Sequence, residues 1–263
     1  MKRNAVIARQ YGPWALIAGA SEGLGEAFAK VLAERGFNLV LVARREAVLN
    51  DVARRLESSH GTTVRSIVGD LGHNDISTRI ERETGDLDLG LVVYNATYAP
   101  VGRFADRELS ELHQTIDVNV RGPINLIHGF LPRLKARDRA GIILMSSMAG
   151  DQGSPRIATY AATKAFTTVL AQSLWHELRA DGVDVTACVA GAVRTPGLAR
   201  AGQSGGRREA PGTLDAAVVA RAALRALGRK PLVVPGRSNK LARFVMRRVF
   251  PTRAAIRIMA SST

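Results

Sequence analysis

The chain has 263 residues, 46% of them hydrophobic, and carries 37 Lys or Arg against 23 Asp or Glu, a formal net charge of +14. That length and apolar content suit one large α/β domain, and no Pro/Ser-rich linker or internal repeat divides it. The single cysteine, Cys188, excludes an intrachain disulfide and a cysteine metal cluster, and its apolar setting from Val185 to Val189 marks it as a small buried hydrophobe.

Lys2, Arg3 and Arg9 near the start are followed by no apolar run of the kind a signal peptide carries. Nowhere do apolar residues run for the roughly eighteen positions of a spanning helix, so a cytoplasmic protein is expected. Trp14–Ala18 reads as a short buried strand that feeds a glycine turn and a helix over about 24–35, which Gly36 terminates. Asn38–Val42 is a second strand, followed by a helix over 46–57 with Val48, Leu49, Val52 and Leu56 on one face. Val64–Val68 and Leu87–Val93 give two further strands, and a long helix covers about 110–135. Ile142–Met145, Val183–Val189 and Leu232–Val234 supply three more, with a helix carrying Tyr160 between the first two. Near-continuous apolar strands alternating with helices imply a parallel sheet covered on both faces. The fold class expected is therefore a Rossmann-type doubly wound α/β sheet of about seven strands, with ligands at the carboxyl ends of the strands.

Charge is unevenly spread. Asp215 is the last acidic residue, and eleven Arg or Lys stand beyond it, so residues 1–215 carry 26 basic and 23 acidic side chains. The body is nearly neutral and the C-terminal end is a cationic patch. With no recognised binding module, nucleic acid is not an expected partner. The five histidines are scattered without metal-ligand spacing, His176 reading as a helix-surface residue, and no metal is expected.

Three motifs carry chemistry. Gly19, Gly23 and Gly25 stand in Gly-x-x-x-Gly-x-Gly spacing between a strand and a helix, where a tight turn lets backbone amides approach a pyrophosphate. Ser147 ends a strand, and Tyr160 and Lys164 follow four apart, which puts phenol and ammonium on one helix face. At the end of the second strand, where a carboxylate would hold the ribose of NAD, the chain reads Val42-Ala43-Arg44-Arg45. A guanidinium there favours a 2′-phosphate, and Arg44 is the expected reader of NADP, with NAD the less favoured cofactor. The alternative is that both arginines are a solvated start to the next helix.

This order of parts resembles the short-chain dehydrogenase/reductases over nearly the whole chain. The resemblance implies a catalytic tetrad of Ser147, Tyr160, Lys164 and Asn119: Tyr160 as proton donor or base, Ser147 bonded to the substrate oxygen, Asn119 passing protons through water to the lysine. Ser146, its neighbour on the strand, should face away. The resemblance also implies cofactor contacts from Ser21, Leu24, Asp70, Leu71, Asn95, Ala96, Gly191, Val193 and Thr195, besides the glycines, Arg44, Tyr160 and Lys164. Four residues depart from the family pattern: Glu22 where a basic residue is frequent, Ala18 for Thr, Thr97 for Gly, and Ala190 for Pro before Gly191. Tyr11–Trp14 and the run from Ala162 to Glu177 look closest to the very-long-chain 3-oxoacyl-CoA reductases and some 17β-hydroxysteroid dehydrogenases.

The expected activity is NADP(H)-dependent reduction of a hydrophobic ketone or aldehyde, such as a steroid or 3-oxoacyl thioester, or the reverse oxidation. The rival from another class is a cofactor-binding regulator without turnover. A homo-dimer or homo-tetramer is expected. Residues 1–237 are read as the catalytic domain, with a glycine-rich lid over 192–212 in which Arg194, Arg200, Arg207 and Arg208 would suit a phosphorylated carrier. Residues 238–263 are read as a basic amphipathic extension for contact with a membrane surface or another subunit. On a helical wheel Leu241, Phe244, Val245 and Val249 share one side, with Lys240, Arg243 and Arg247 on the other.

Overall fold

The computed structural model describes residues 5–197 and 212–262. After a short helix α1 (Ala5–Gln10), strands β1 (Trp14–Ala18), β2 (Asn38–Ala43), β3 (Val64–Val68), β4 (Leu89–Tyr94), β5 (Ala140–Ser147) and β6 (Val183–Ala190) follow in chain order. The pair β7 (Val193–Arg194) and β8 (Leu214–Asp215) stands apart, and β9 (Leu232–Val233) completes the main sheet. That sheet is seven-stranded and parallel in the order β3-β2-β1-β4-β5-β6-β9. The doubly wound single domain read from the sequence is the fold of the chain.

Alternate strand residues point to opposite faces, and each face has its own core. Ile17, Leu39, Leu41 and Ile143 pack with Phe28 and Leu32 of α2 (Gly23–Ala33), Leu49 of α3 (Glu46–His60) and Leu224, which lies on the helix Ala216–Ala226. Leu16, Val40, Val92 and Ile142 pack with Ile80 of α4 (Ile76–Glu83) and with Leu126, Phe130 and Leu134 of the helix Gly122–Lys135. The strands are near-continuously apolar because both of their faces are covered. Strand order reverses between β1 and β4, so a crevice opens at Ala18 and Tyr94, where such sheets hold ligands.

The long helix predicted over about 110–135 is interrupted. It runs as α5 (Leu109–Ile116), a π-turn over Asp117–Arg121, and α6 (Gly122–Lys135). The amide of Gly122 bonds the carbonyl of Asp117, five residues back, rather than that of Val118. The Tyr94 hydroxyl supplies the missing donor, reaching the Val118 carbonyl at 2.6 Å. Pro123 has no N–H to give the carbonyl of Asn119, the bond an α-helix would make. The π-turn follows from Gly122-Pro123 together with Tyr94, which no periodicity reports. Other boundaries move by a few residues: the fourth strand begins at Leu89 rather than Leu87 and ends at Tyr94, while α2 starts at Gly23.

Beyond α7 (Ala158–Glu177) and α8 (Ala216–Ala226) the chain ends in α9 (Arg237–Arg248) and α10 (Thr252–Ser262). The apolar side that the helical wheel marks on α9 faces outward. Arg243 turns inward and makes a bidentate pair with Asp151, at 2.8 and 2.9 Å, while Leu241, Phe244 and Val249 are exposed. Asn239 is buried and donates to the carbonyls of Gly212 and Pro235. Of the lid expected over 192–212, residues 198–211 lie outside the described residues. Its two flanks are joined by the β7–β8 pairing and by an ion pair from Arg194 to Asp215. Among the described residues no helix is long and apolar enough to cross a membrane.

Candidate active site

The site is assembled at the crevice where the strand order reverses. Gly19 and Ala20 both donate to the Val42 carbonyl, and Asn95 and Ala96 both donate to the Ala18 carbonyl, which ties the ends of β1, β2 and β4 together. A Cβ on Gly25 would lie 1.9 Å from the Gly19 carbonyl oxygen, so only glycine lets α2 start this close to the turn. Gly19 has φ +86° and sits against the backbone of Ala96, a conformation L side chains rarely adopt. The Asn95 amide closes the arrangement by donating to the Gly19 carbonyl at 2.9 Å. Glu22 at the N-cap makes no side-chain hydrogen bond to α2, so the amides of its first turn are not capped by that residue. This is a cradle in which backbone donors and the positive end of a helix face one point, and it suits a diphosphate.

From far along the chain, Thr195 reaches the same turn: a Cβ on Gly23 would meet its side chain at 3.0 Å. Gly191 follows β6 and backs directly onto the buried Asn239 amide, 2.8 Å from where its own Cβ would stand. Asp70 bonds the amide of Gly72 at 2.9 Å and pairs with Arg44 at 3.5 Å. Arg45 is the N-cap of α3, and its side chain crosses to the glycine turn, 2.9 Å from Glu22 and 3.2 Å from the Ser21 hydroxyl. The signal for it was present, since consecutive residues leaving a strand point opposite ways. One guanidinium goes to the Asp70 side, the other to the turn.

Across the crevice, β5 delivers Ser147 and α7 delivers Tyr160 and Lys164. Ser147 also caps a one-turn 3₁₀ helix over Met148–Asp151, accepting from the Ala149 amide at 3.2 Å. Ser146 faces the other way, as expected, bonded to the Lys164 carbonyl and the Thr168 hydroxyl, both at 2.7 Å. Burial raises the Tyr160 phenol above its ordinary range, and the Ser147 hydroxyl bonded to it pulls the other way. Lys164 is 5% exposed, donates to the Met145 carbonyl at 3.0 Å, and lies 5.5 Å from the centroid of the Tyr160 ring. Burial lowers its ammonium to about 8.

Asn119, on the π-turn, is 2% exposed and its amide is fully engaged. It donates to the Tyr98 carbonyl and the Thr163 hydroxyl and accepts from the Tyr98 amide and the Thr97 hydroxyl, at 2.8 to 3.2 Å. The side chain thus fastens the segment after β4 to α7. Thr97, a departure from the family pattern, contributes one of these bonds, a use that its neighbours in sequence do not reveal. A small cavity beside Tyr160 is walled by Pro100, Phe104, Leu112 and Ile157. Among the described residues no cluster of His, Cys, Asp or Glu could hold a metal ion.

A phosphate cradle facing a phenol, an ammonium and a serine defines a dinucleotide-binding α/β enzyme. The family model for short chain dehydrogenases matches residues 13–204, and the chain belongs to that family. It is 33% identical over 187 residues to a 7β-hydroxysteroid dehydrogenase of Clostridium sardiniense, covering 71% of this chain and 72% of that protein. A very-long-chain 3-oxoacyl-CoA reductase of Laccaria bicolor is 34% identical over 178 residues, 66% of this chain; the match spans about half, 53%, of that relative. Among solved structures, one of a 7β-hydroxysteroid dehydrogenase superposes with TM-score 0.88 at 28% identity, covering 96% of this chain and 98% of that one. A short-chain dehydrogenase from Sphingobium yanoikuyae in complex with NADPH gives TM-score 0.78 at 28% identity, covering 91% of this chain and 97% of that one. The protein is accordingly an oxidoreductase that acts on hydroxyl or carbonyl groups with a nicotinamide cofactor, and its relatives include the reductase subgroup that the sequence resembles.

Proposed function

We propose that the protein interconverts a hydrophobic ketone and its alcohol, of the steroid or 3-oxoacyl thioester kind, with NADP(H), and that Tyr160 carries the proton. The observation that carries this reading is the half-buried Tyr160, its hydroxyl beside Ser147 and the Lys164 cation beside its ring. The glycine cradle, with Asn95, Ala96 and Thr195 around it, would hold the dinucleotide, and the bound nicotinamide supplies the hydride. Ser147 holds the substrate oxygen beside the phenol, so that Tyr160 gives its proton as that oxygen becomes an alcohol. Lys164, with its cation 5.5 Å from the ring centroid, favours the tyrosinate left behind against the burial that raises the phenol. Asn119 acts by fixing the Thr97–Tyr98 segment against α7. NADP over NAD is supported by the absence of a carboxylate at the end of β2 and by the two guanidinium groups flanking the turn, Arg44 and Arg45. The cavity beside Tyr160 joins apolar Pro100, Phe104, Leu112 and Ile157 to the charged Arg107 and Arg156, and it is the relatives' names that point to steroids and acyl thioesters.

The test is purified protein with NADPH or NADH and a panel of steroids, 3-oxoacyl thioesters and short ketones, followed by loss of reduced-cofactor absorbance. Turnover of a bulky hydrophobic ketone with NADPH is expected. Tight NADPH binding without turnover of any compound would instead favour a regulatory protein.

A further inference from the structure

Helix α9 carries its large apolar side chains outward. Leu241 is 65% exposed and Phe244 61%; just past the helix, Val249 is 62% exposed and Phe250 41%. The rotation of the helix is fixed from inside, by Arg243 on Asp151 and by buried Asn239 beneath Gly191. With those two positions turned to the body, 241, 244 and 248 fall on the opposite side by helical spacing. Arg248 is exposed among them, Lys240 and Arg247 are exposed at the flanks of the helix with Arg247 also 3.6 Å from Asp151, and no acidic residue follows Asp215.

We propose that this outward face docks on an anionic lipid surface. The occupant must bury Leu241, Phe244, Val249 and Phe250 and must offer negative charge to Arg248 and Lys240. A second copy of the chain meeting the face across a twofold axis would set these cations against their own counterparts, with no carboxylate on the helix to offset them. Anionic headgroups above acyl chains meet both demands at once. The helix lies along such a surface and does not enter it, because Arg243 and Asn239 hold its other side to the body.

Flotation of the full-length protein with phosphatidylcholine vesicles, with and without phosphatidylglycerol, tests the proposal. Binding only to the anionic vesicles, lost as salt is raised, is the expected result. Lys240→Gln with Arg248→Gln should weaken it about 25-fold, from roughly fivefold per cation, and Leu241→Ser with Phe244→Ser should weaken it at least about tenfold while NADPH binding is kept. Failure of the wild-type protein to float at low salt would overturn the proposal, as would equal binding to neutral vesicles. So would light scattering in which the Leu241→Ser, Phe244→Ser protein loses an oligomer that the wild type forms, since the face would then be a contact between copies.

Discussion

Removing the Tyr160 hydroxyl takes away the proton donor and leaves the glycine cradle untouched. Tyr160→Phe should therefore bind NADPH as the wild type does and lose turnover by roughly 10²–10⁴-fold, measured by cofactor fluorescence titration and steady-state rates. Lys164 sets a pH dependence. Its ammonium is held near 8, so the cation that favours tyrosinate is present below that pH and lost above it. Ketone reduction should fall as pH rises through about 8, and Lys164→Arg should remove that limb wherever the variant folds. Folding stability moves the other way. Between about 8 and the ordinary 10.5 the unfolded chain keeps a proton that the folded chain has released, so this group's contribution to stability grows with pH. Arg44→Ala should raise KM for NADPH by about 10- to 100-fold, the worth of a charge-assisted bond to phosphate, and leave KM for NADH nearly unchanged. Equal effects on both cofactors would detach Arg44 from the 2′-phosphate. Asn119 and the further cofactor contacts entered only through the family resemblance, whereas the glycine turn, Ser147, Tyr160, Lys164 and Arg44 stood out in sequence by their offsets from strands and along one helix face. The geometry around them was legible only in part. The bonds of Asn119 were not legible, since they depend on the end of β4 and the π-turn meeting in space.

Elements are held to one another by few, well-placed polar contacts. Asp151 and Arg243 are 92 positions apart, and their side chains keep only 9% and 14% of their exposure. Asp151 ends the 3₁₀ turn that Ser147 caps, so the pair ties α9 to the serine side of the site. Arg243→Met leaves the carboxylate buried without its main partner, although Arg247 stands 3.6 Å away. A loss of about 3 kcal/mol in denaturant unfolding is expected, and Asp151→Asn in the same background should restore part of it. Unchanged stability in the single variant would show that Arg247 takes over. Strand and helix order could be read from apolar periodicity because burial on two faces leaves near-continuous apolar runs. The inward anchors of α9 could not, because Arg243 and Asn239 find their partners at Asp151, Gly212 and Pro235 only in the folded chain.

Over the whole molecule, a nearly neutral body carries a strongly cationic end, and the sequence alone displays that asymmetry. It suggests a catalytic unit with a separable extension over 238–263. The contacts argue for a different outcome on truncation. Ending the chain at Gly236 removes Asn239 from beneath Gly191 and Arg243 from Asp151, so both walls of the site lose support. The truncated protein should melt about 10 °C lower, from roughly 3 kcal/mol or more at about 2–4 °C each, and should lose activity with it. A truncated protein with native melting temperature and rates would establish the extension as separable.

The π-turn beneath Asn119 sets the angular phase of everything after it. Each residue of a regular α-helix advances the chain by about 100°, and the wide turn takes up one residue more without that advance. Upstream of it, α5 runs beside α7; downstream, Leu126, Phe130 and Leu134 of α6 point into the sheet. An inserted residue that the turn could not widen further to absorb would swing those three side chains off the core by about 100°. This stretch should tolerate substitution far better than a change in length, so its length is fixed by geometry even where the chemistry at individual positions is not.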